Sequence, residues 1–479
     1  MESSAHAPDP RRWQALSLVC VAFFMTVLDV SIVNVALPSI KDSLNVGESS
    51  LQWVLIAYTI TFGGLLLLGG RAADLLGRRR MFMIGMAIFA AASLACGLAG
   101  SIGVLIAARA VQGVGAAIIS PATLSIITTT FEEGSERNKA LGIWGAMGGS
   151  GAAAGVLFGG ILTKYAGWEW VFFVNVPVGV LVLLLTRSVV RESRVAGMRG
   201  FDAGGAVTIT GSLALLVYAI SKAPDVGWSS GSTIGFLIAA VVLFVAFLVI
   251  ETRQSNPMVP FKIFRTKTVT GANVAGFLLG AVVFANFFLL TLYVQQVLGY
   301  SALKTGLTFL ATAGTVIPVA GVSQALVTKF GPRPIMAIGL LLITIGMVWY
   351  SQIPVHASFV SDLLPGYLLV GVGMAFSFIP MSIAALAGVA PQEAGLASGL
   401  INTSQQIGGA LGVAIASTVA FTHMNTLLQS GHSPAVAQTS GFALGFWVIA
   451  GFGAAAVIAT LVLVRSEEVV VESTAVAVS

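Results

Sequence analysis

The chain has 479 residues, 57% of them hydrophobic and only 9% charged, with a net charge of +5 and a mean hydropathy of +0.95. A soluble globular body carries about 25% charged residues. There is too little polar surface here to coat one, and the composition excludes that class in favour of a polytopic membrane protein. The apolar runs are about twenty residues long and continuous, which suits spanning α-helices, whereas a β-barrel shows alternating segments of about ten. The 55 glycines suit helices that pack closely in lipid. Cys20 and Cys96 both fall within apolar runs and imply no disulfide framework.

In chain order, apolar runs predict fourteen spans, with cores at 13–37, 51–70, 81–100, 102–130, 139–163, 170–190 and 202–222, then 232–250, 268–298, 303–328, 334–353, 359–386, 395–421 and 441–464. The first run lacks a small-residue cleavage site and reads as a retained span, not a signal peptide. An even number puts both termini on one side. If that side is cytoplasmic, 19 of the 24 Lys and Arg lie in inside segments, 4 in outside loops (Lys41, Lys164, Lys222, Lys304) and one, Arg109, within a span. Such a bias in short loops sets orientation. The expectation is a multi-pass protein of the plasma membrane with cytoplasmic N- and C-termini. Its basic charge then reflects topology and contact with the lipid bilayer, not a nucleic-acid partner.

Three pieces recur at nearly one offset. GRRRMFMIG from Gly77 is similar to GPRPIMAIG from Gly331, and GVGAA from Gly113 to GVGMA from Gly371. Gly142, Gly151 and Gly155 match Gly399, Gly408 and Gly412. Spans 1–6 and 9–14 then form two related six-helix halves, with spans 7 and 8 inserted. Halves related by an axis along the membrane normal place a substrate site between them near the midplane. The expected division is a tail at 1–12, an N-terminal six-helix bundle at 13–190, linker loops with the inserted helices at 191–267, a C-terminal six-helix bundle at 268–465 and a tail at 466–479.

LDVSIVNVALP (Leu28 to Pro38), GRAADLLGRRR (Gly70 to Arg80) and LIAARAVQGVGAA (Leu105 to Ala117) resemble first-helix, loop 2–3 and fourth-helix motifs of the major facilitator superfamily. The glycines Gly142, Gly151, Gly155, Gly159 and Gly160 resemble its fifth-helix series. WEWVFFVNVPVG (Trp168 to Gly179), YVQQVLGYSALKTG (Tyr293 to Gly306) and GLASGLINTSQQIGGALG (Gly395 to Gly412) are similar to further stretches of its fourteen-helix drug:proton antiporter family. The likeness covers nearly the whole chain. Two positions depart from the pattern: Val156 stands where Pro follows the third glycine, and Leu75 where a basic residue follows Asp74. The resemblance implies an all-α fold of fourteen transmembrane helices and a transporter, not an enzyme, with no cofactor and a proton gradient as energy source.

Asp29 is the one carboxylate deep within a predicted span, about 12 Å from its outer end at 1.5 Å per residue. Arg109 enters span 4 to a similar depth. In this fold both spans line the central cavity, so the two residues are expected to face each other there. Burial raises a carboxylate pKa and a guanidinium lowers it, so Asp29 is the expected proton carrier and Arg109 the group that tunes it. The alternative is a static ion pair joining spans 1 and 4. Gln112, one turn from Arg109, either holds the guanidinium, touches substrate or bonds a neighbouring helix. Asn34 reads as packing. Asp74, Gly77, Arg78 and Arg79 form a cytoplasmic cluster that is either a gate or a product of topology alone. Gly151, Gly155 and Gly159 have small-xxx-small spacing, which permits close and sliding helix contact.

Aromatic and amide groups suited to an apolar cavity are Trp53, Tyr58, Trp144 and Met147 in the first half. Phe284, Asn286, Tyr293, Phe376, Asn402 and Gln406 are their counterparts in the second. GYSALKT (Gly299 to Thr305) lacks the glycine before lysine that a phosphate loop needs, and no metal spacing or nucleophile–base pair occurs. The expected function is proton-coupled export of lipophilic neutral or monocationic compounds, by a monomer. Export of an endogenous lipid or metabolite, or an uncoupled uniporter or sensor, remains the alternative.

Overall fold

The computed structural model describes residues 10–131, 135–194, 202–254, 257, 259, 261–385, 387 and 394–465. The N-terminal tail up to residue 9 and the C-terminal tail from 466 lie outside them. Fifteen helices account for fourteen rods: α1 (Arg12–Leu44), α2 (Glu48–Leu76), α3 (Arg78–Gly97), α4 (Ile102–Thr130), α5 (Ser135–Tyr165), α6 (Trp170–Phe173) with α7 (Asn175–Val189), α8 (Ala203–Val226), α9 (Gly231–Arg253), α10 (Lys267–Leu292), α11 (Ala302–Phe330), α12 (Pro332–Tyr350), α13 (Leu364–Ala385), α14 (Ala394–Gln429) and α15 (Pro434–Leu463). Among the described residues thirteen rods are long and apolar enough to cross a membrane. The remaining rod, α5, runs for 31 residues.

The sixth rod is broken at Val174 between α6 and α7. Pro177 has no N–H for the carbonyl of Phe173, so the helical ladder lapses there. Beside the break the Phe172 carbonyl accepts a bond from Ser93 Oγ at 2.9 Å.

Close packing explains the repeated glycines. Gly151, Gly155 and Gly159 form one stripe of α5 against α1. A methyl group on them would sit 3.0, 2.7 and 2.8 Å from the carbonyl oxygens of Phe24, Leu28 and Ile32, themselves four residues apart. In the second half Gly408 and Gly412 on α14 meet the carbonyls of Phe277 and Ala281 on α10 in the same way. The repeat is therefore a repeated helix contact. The neighbours of Gly142 lie outside the described residues. At the start of both helices Arg12 grips Glu136 with two 3.0 Å bonds and holds that carboxyl below its usual range.

The halves meet mainly along α2 with α14 and α5 with α11. The inserted α8 lies against both α2 and α14, with Thr210 packed onto Gly64, while α9 leaves Ile238, Val241 and Val242 exposed. The basic loops mark one end of the bundle, and the turns after α1, α10 and α12 mark the distal end.

Gly155→Val is expected to separate α5 from α1 and cost about 1–3 kcal/mol through overpacking. A lowered melting temperature of the purified protein in detergent checks this, with Phe158→Leu at an exposed position of the same helix for comparison.

Candidate functional site

Asp29 and Arg109 are both 0% exposed, and Arg109 Nη1 donates to Asp29 Oδ2 at 2.5 Å. Moving each charge out of water costs several kcal/mol, offset only where the remaining donors and lone pairs are also met. For the carboxylate they are: Gln112 Nε2 and Asn175 Nδ2 donate to Asp29 Oδ1 at 2.8 and 2.9 Å. Gln112 Oε1 accepts from Arg109 Nη1 at 2.8 Å, and Arg109 Nε donates to the Val54 carbonyl at 3.0 Å. Ser93 Oγ accepts from Gln112 and Asn175 at 3.2 and 3.1 Å. The Tyr58 ring lies under the guanidinium, 4.3 Å from Cζ, with Phe172 at 5.8 Å.

The sequence puts Asp29 and Arg109 together, and the structure brings them into contact. Their setting differs from the expectation. Every partner comes from α1 to α7, so the pair is sealed inside the N-terminal bundle and not turned toward the second half. Gln112, Asn175 and Tyr58 enclose the pair. Gln112 holds the guanidinium and bonds the carboxylate as well. Sequence reasoning missed Asn175, Ser93 and the Phe172 ring. Asn175 was visible as an amide in an apolar run beside Pro177; Ser93 carried no local signal.

In the basic loop, Arg78 donates from Nε and Nη2 to Asp74 Oδ1 at 3.0 and 2.8 Å, and Ser125 Oγ adds a bond at 3.2 Å. Gly77 has φ +108°, which side chains rarely adopt, and a methyl there would meet Glu192 Oε1 at 2.7 Å. Glu192 was also missed. Its carboxylate accepts the backbone N–H groups of Arg79 and Arg80, both at 3.1 Å, at the positive N-terminus of α3. Arg79 Nε lies 3.8 Å from the same carboxylate.

The residues read as cavity-lining disperse. Trp53 is 6.0 Å from Tyr218 on α8. Trp144 stacks on Phe23 and donates to Thr123 Oγ1 at 3.2 Å, and Met147 packs beside that cluster. Phe284 is wedged against Gly409, and Phe376 follows the α12–α13 contact at Gly339. Tyr293 donates to the Pro354 carbonyl at 2.7 Å. Asn402 is exposed. Asn286 Oδ1 and Gln406 Oε1 are buried acceptors without a hydrogen bond, and Gln406 sits where α14 meets Gly63 of the first half. Among the described residues no group of His, Cys, Asp and Glu could hold a metal.

Arg109→Met alone leaves a buried carboxylate uncompensated and is expected to cost about 3–5 kcal/mol, while Asp29→Leu with Arg109→Met restores most of it; thermal unfolding of the purified variants measures both. Glu192→Ala removes a cap from α3 and is expected to cost about 1 kcal/mol, read as a lower unfolding midpoint with the Asp74–Arg78 pair intact.

Residues 19–413 match the family model described as Major Facilitator Superfamily. The chain is 39% identical over 468 residues to the puromycin resistance protein pur8 of Streptomyces alboniger, covering 97% of this chain and 93% of that protein. It is 39% identical to the cephamycin export protein CmcT of Amycolatopsis lactamdurans (85% and 84% covered) and 37% identical to the multidrug resistance protein Stp of Mycobacterium tuberculosis strain CDC 1551 / Oshkosh (87% and 78%). In fold it is similar to the POT family transporter PepTSo, with TM-score 0.68 at 16% identity over 95% of this chain and 98% of that one. A bacterial homolog of the human lysosomal transporter Spinster, in an inward-facing and unoccupied conformation, gives 0.66 at 16% identity (96% and 98% covered). On its fold, its motifs and these relatives, the chain belongs to the Major Facilitator Superfamily, as a fourteen-helix membrane transporter related to antibiotic resistance and multidrug efflux proteins.

Proposed function

We propose that the protein is a proton-coupled exporter of lipophilic neutral or monocationic compounds of the antibiotic class. It works by alternating access across the plasma membrane, with the basic loops and both termini in the cytoplasm. The observation that carries the coupling is the Asp29–Arg109 pair, fully buried and bonded by groups on α2, α4 and α7. A carboxylate in a dry site stays charged only while its donors are in place. Movement of α1 against α4 and α7 withdraws those donors, and the carboxylate then takes a proton; closure returns them and expels it. Buried ionisable groups inside membrane bundles commonly mark such pathways. The names of pur8, CmcT and Stp support an antibiotic-like substrate. The basic bias of one set of loops supports the orientation.

A purely structural role for the pair has one observation in its favour: both carboxylate oxygens are already satisfied. The two readings part on Asp29→Asn. Proteoliposomes carrying this variant, with an imposed pH gradient, are expected to exchange a fluorescent lipophilic cation between equal concentrations but to accumulate none. Gradient-driven accumulation at the wild-type rate per folded molecule would leave the pair as a strut.

A further inference from the structure

The stretch from Tyr293 to Gly306 has no part in the charge network, yet it lies where the two halves meet at the distal end. We propose that it is the outer gate, with Gln295 as its latch. The inference rests on the alternating-access reading above. Gln295 Nε2 donates to the Val35 carbonyl of α1 at 2.9 Å, a hydrogen bond from the second half to the first. Both sides of this bond lie in irregular helix. On α1, Pro38 removes the N–H that the Asn34 carbonyl would accept and loosens that turn. On the other side α10 ends in a π-turn, Tyr293–Val297, a form that recurs at functional sites. Tyr293 ties the π-turn to the loop after α12 through the Pro354 carbonyl.

The rest of the stretch completes the closure. Gly299 turns the chain with φ +65°. Ser301 caps α11 by accepting from the Lys304 N–H at 3.2 Å. A methyl on Gly306 would sit 2.5 Å from the Val156 carbonyl of α5, and one on Gly160 would sit 2.8 Å from the Ala302 carbonyl. A second bond between the halves, Ser417 Oγ to Gln52 Oε1, joins α14 to α2, with both residues buried. Above the latch a cavity of about 290 Å³ is lined by Pro38, Lys41 and Asp42 from one half and Gln295, Tyr300 and Ser301 from the other. The latch consists of neutral hydrogen bonds and backbone contact, so it is strong enough to hold one state and weak enough to be released.

Spin labels on Ser43→Cys and Lys304→Cys, exposed on opposite halves, report the width of this end; Cys20 and Cys96 are buried. Pulsed electron–electron distance measurement on the full chain in nanodiscs, without substrate or gradient, compares Gln295 with Gln295→Met and Gln295→Glu. Gln295→Met keeps the side-chain length but cannot donate and is expected to raise the open-to-closed ratio about five-fold, the size of one neutral hydrogen bond; an ionised Glu also repels the Val35 carbonyl and is expected to raise it further. Ser417→Ala, which removes one hydroxyl, is expected to do the same through the second bond and serves if the Gln295 variants do not fold. Distance distributions that superimpose on the wild type in all folded variants overturn the latch. Failure of the exporter reading shows instead as absent transport by the wild type, with the distances still shifting.

Discussion

A carboxylate and a guanidinium held together away from solvent set the terms for the N-terminal bundle. In a low-dielectric interior neither charge is tolerable alone, and their mutual attraction suffices only with every remaining donor and acceptor met. This requirement recruits α1, α2, α3, α4 and α7 at once. Val54 offers a carbonyl, Gln112 and Asn175 offer amides, Ser93 offers a hydroxyl, and Tyr58 offers a π face. Any relative movement of these helices strains several bonds together, which makes the cluster responsive to conformation.

The second half has the same helix arrangement without the charges. The glycine contacts of α14 on α10 follow those of α5 on α1, and the repeat then aligns Val282 and Tyr367 with Asp29 and Arg109. Tyr367 bonds Thr308 at 2.9 Å and packs against Tyr350 and Phe309. One bundle is held by aromatic packing and neutral bonds, the other by an ionic network. Among the described residues a buried ion pair is thus found in only one of them.

The spans were legible because a bilayer demands continuous apolar runs, and the repeat was legible because glycine marks backbone contact that no other residue permits. The Asp29–Arg109 meeting followed from matched depth. What surrounds it did not, because Ser93, Asn175 and Tyr58 lie on three helices whose relative rotation no local spacing encodes. Pro177 announced the break in the sixth rod, but the run of apolar residues across it read as one span. Glu192 lay hidden in a basic loop, where its value comes from the end of another helix. Trp53, Trp144 and Tyr293 show that aromatic identity says nothing about facing: each is engaged by a neighbouring helix or loop.

The position of α5 has a mechanical consequence. Gly155 rests on the carbonyl of Leu28, the residue before Asp29, and the next carbonyl along α5, that of Val156, rests on Gly306 across the divide. Backbone is in contact on both flanks, with only the Ser31 Cβ beside the Leu28 carbonyl. Protein interiors compress little, so a shift of α1 of a few tenths of an ångström passes through α5 to α11 almost undiminished. The glycines leave α5 as a single layer of backbone between the helix that carries Asp29 and the far bundle.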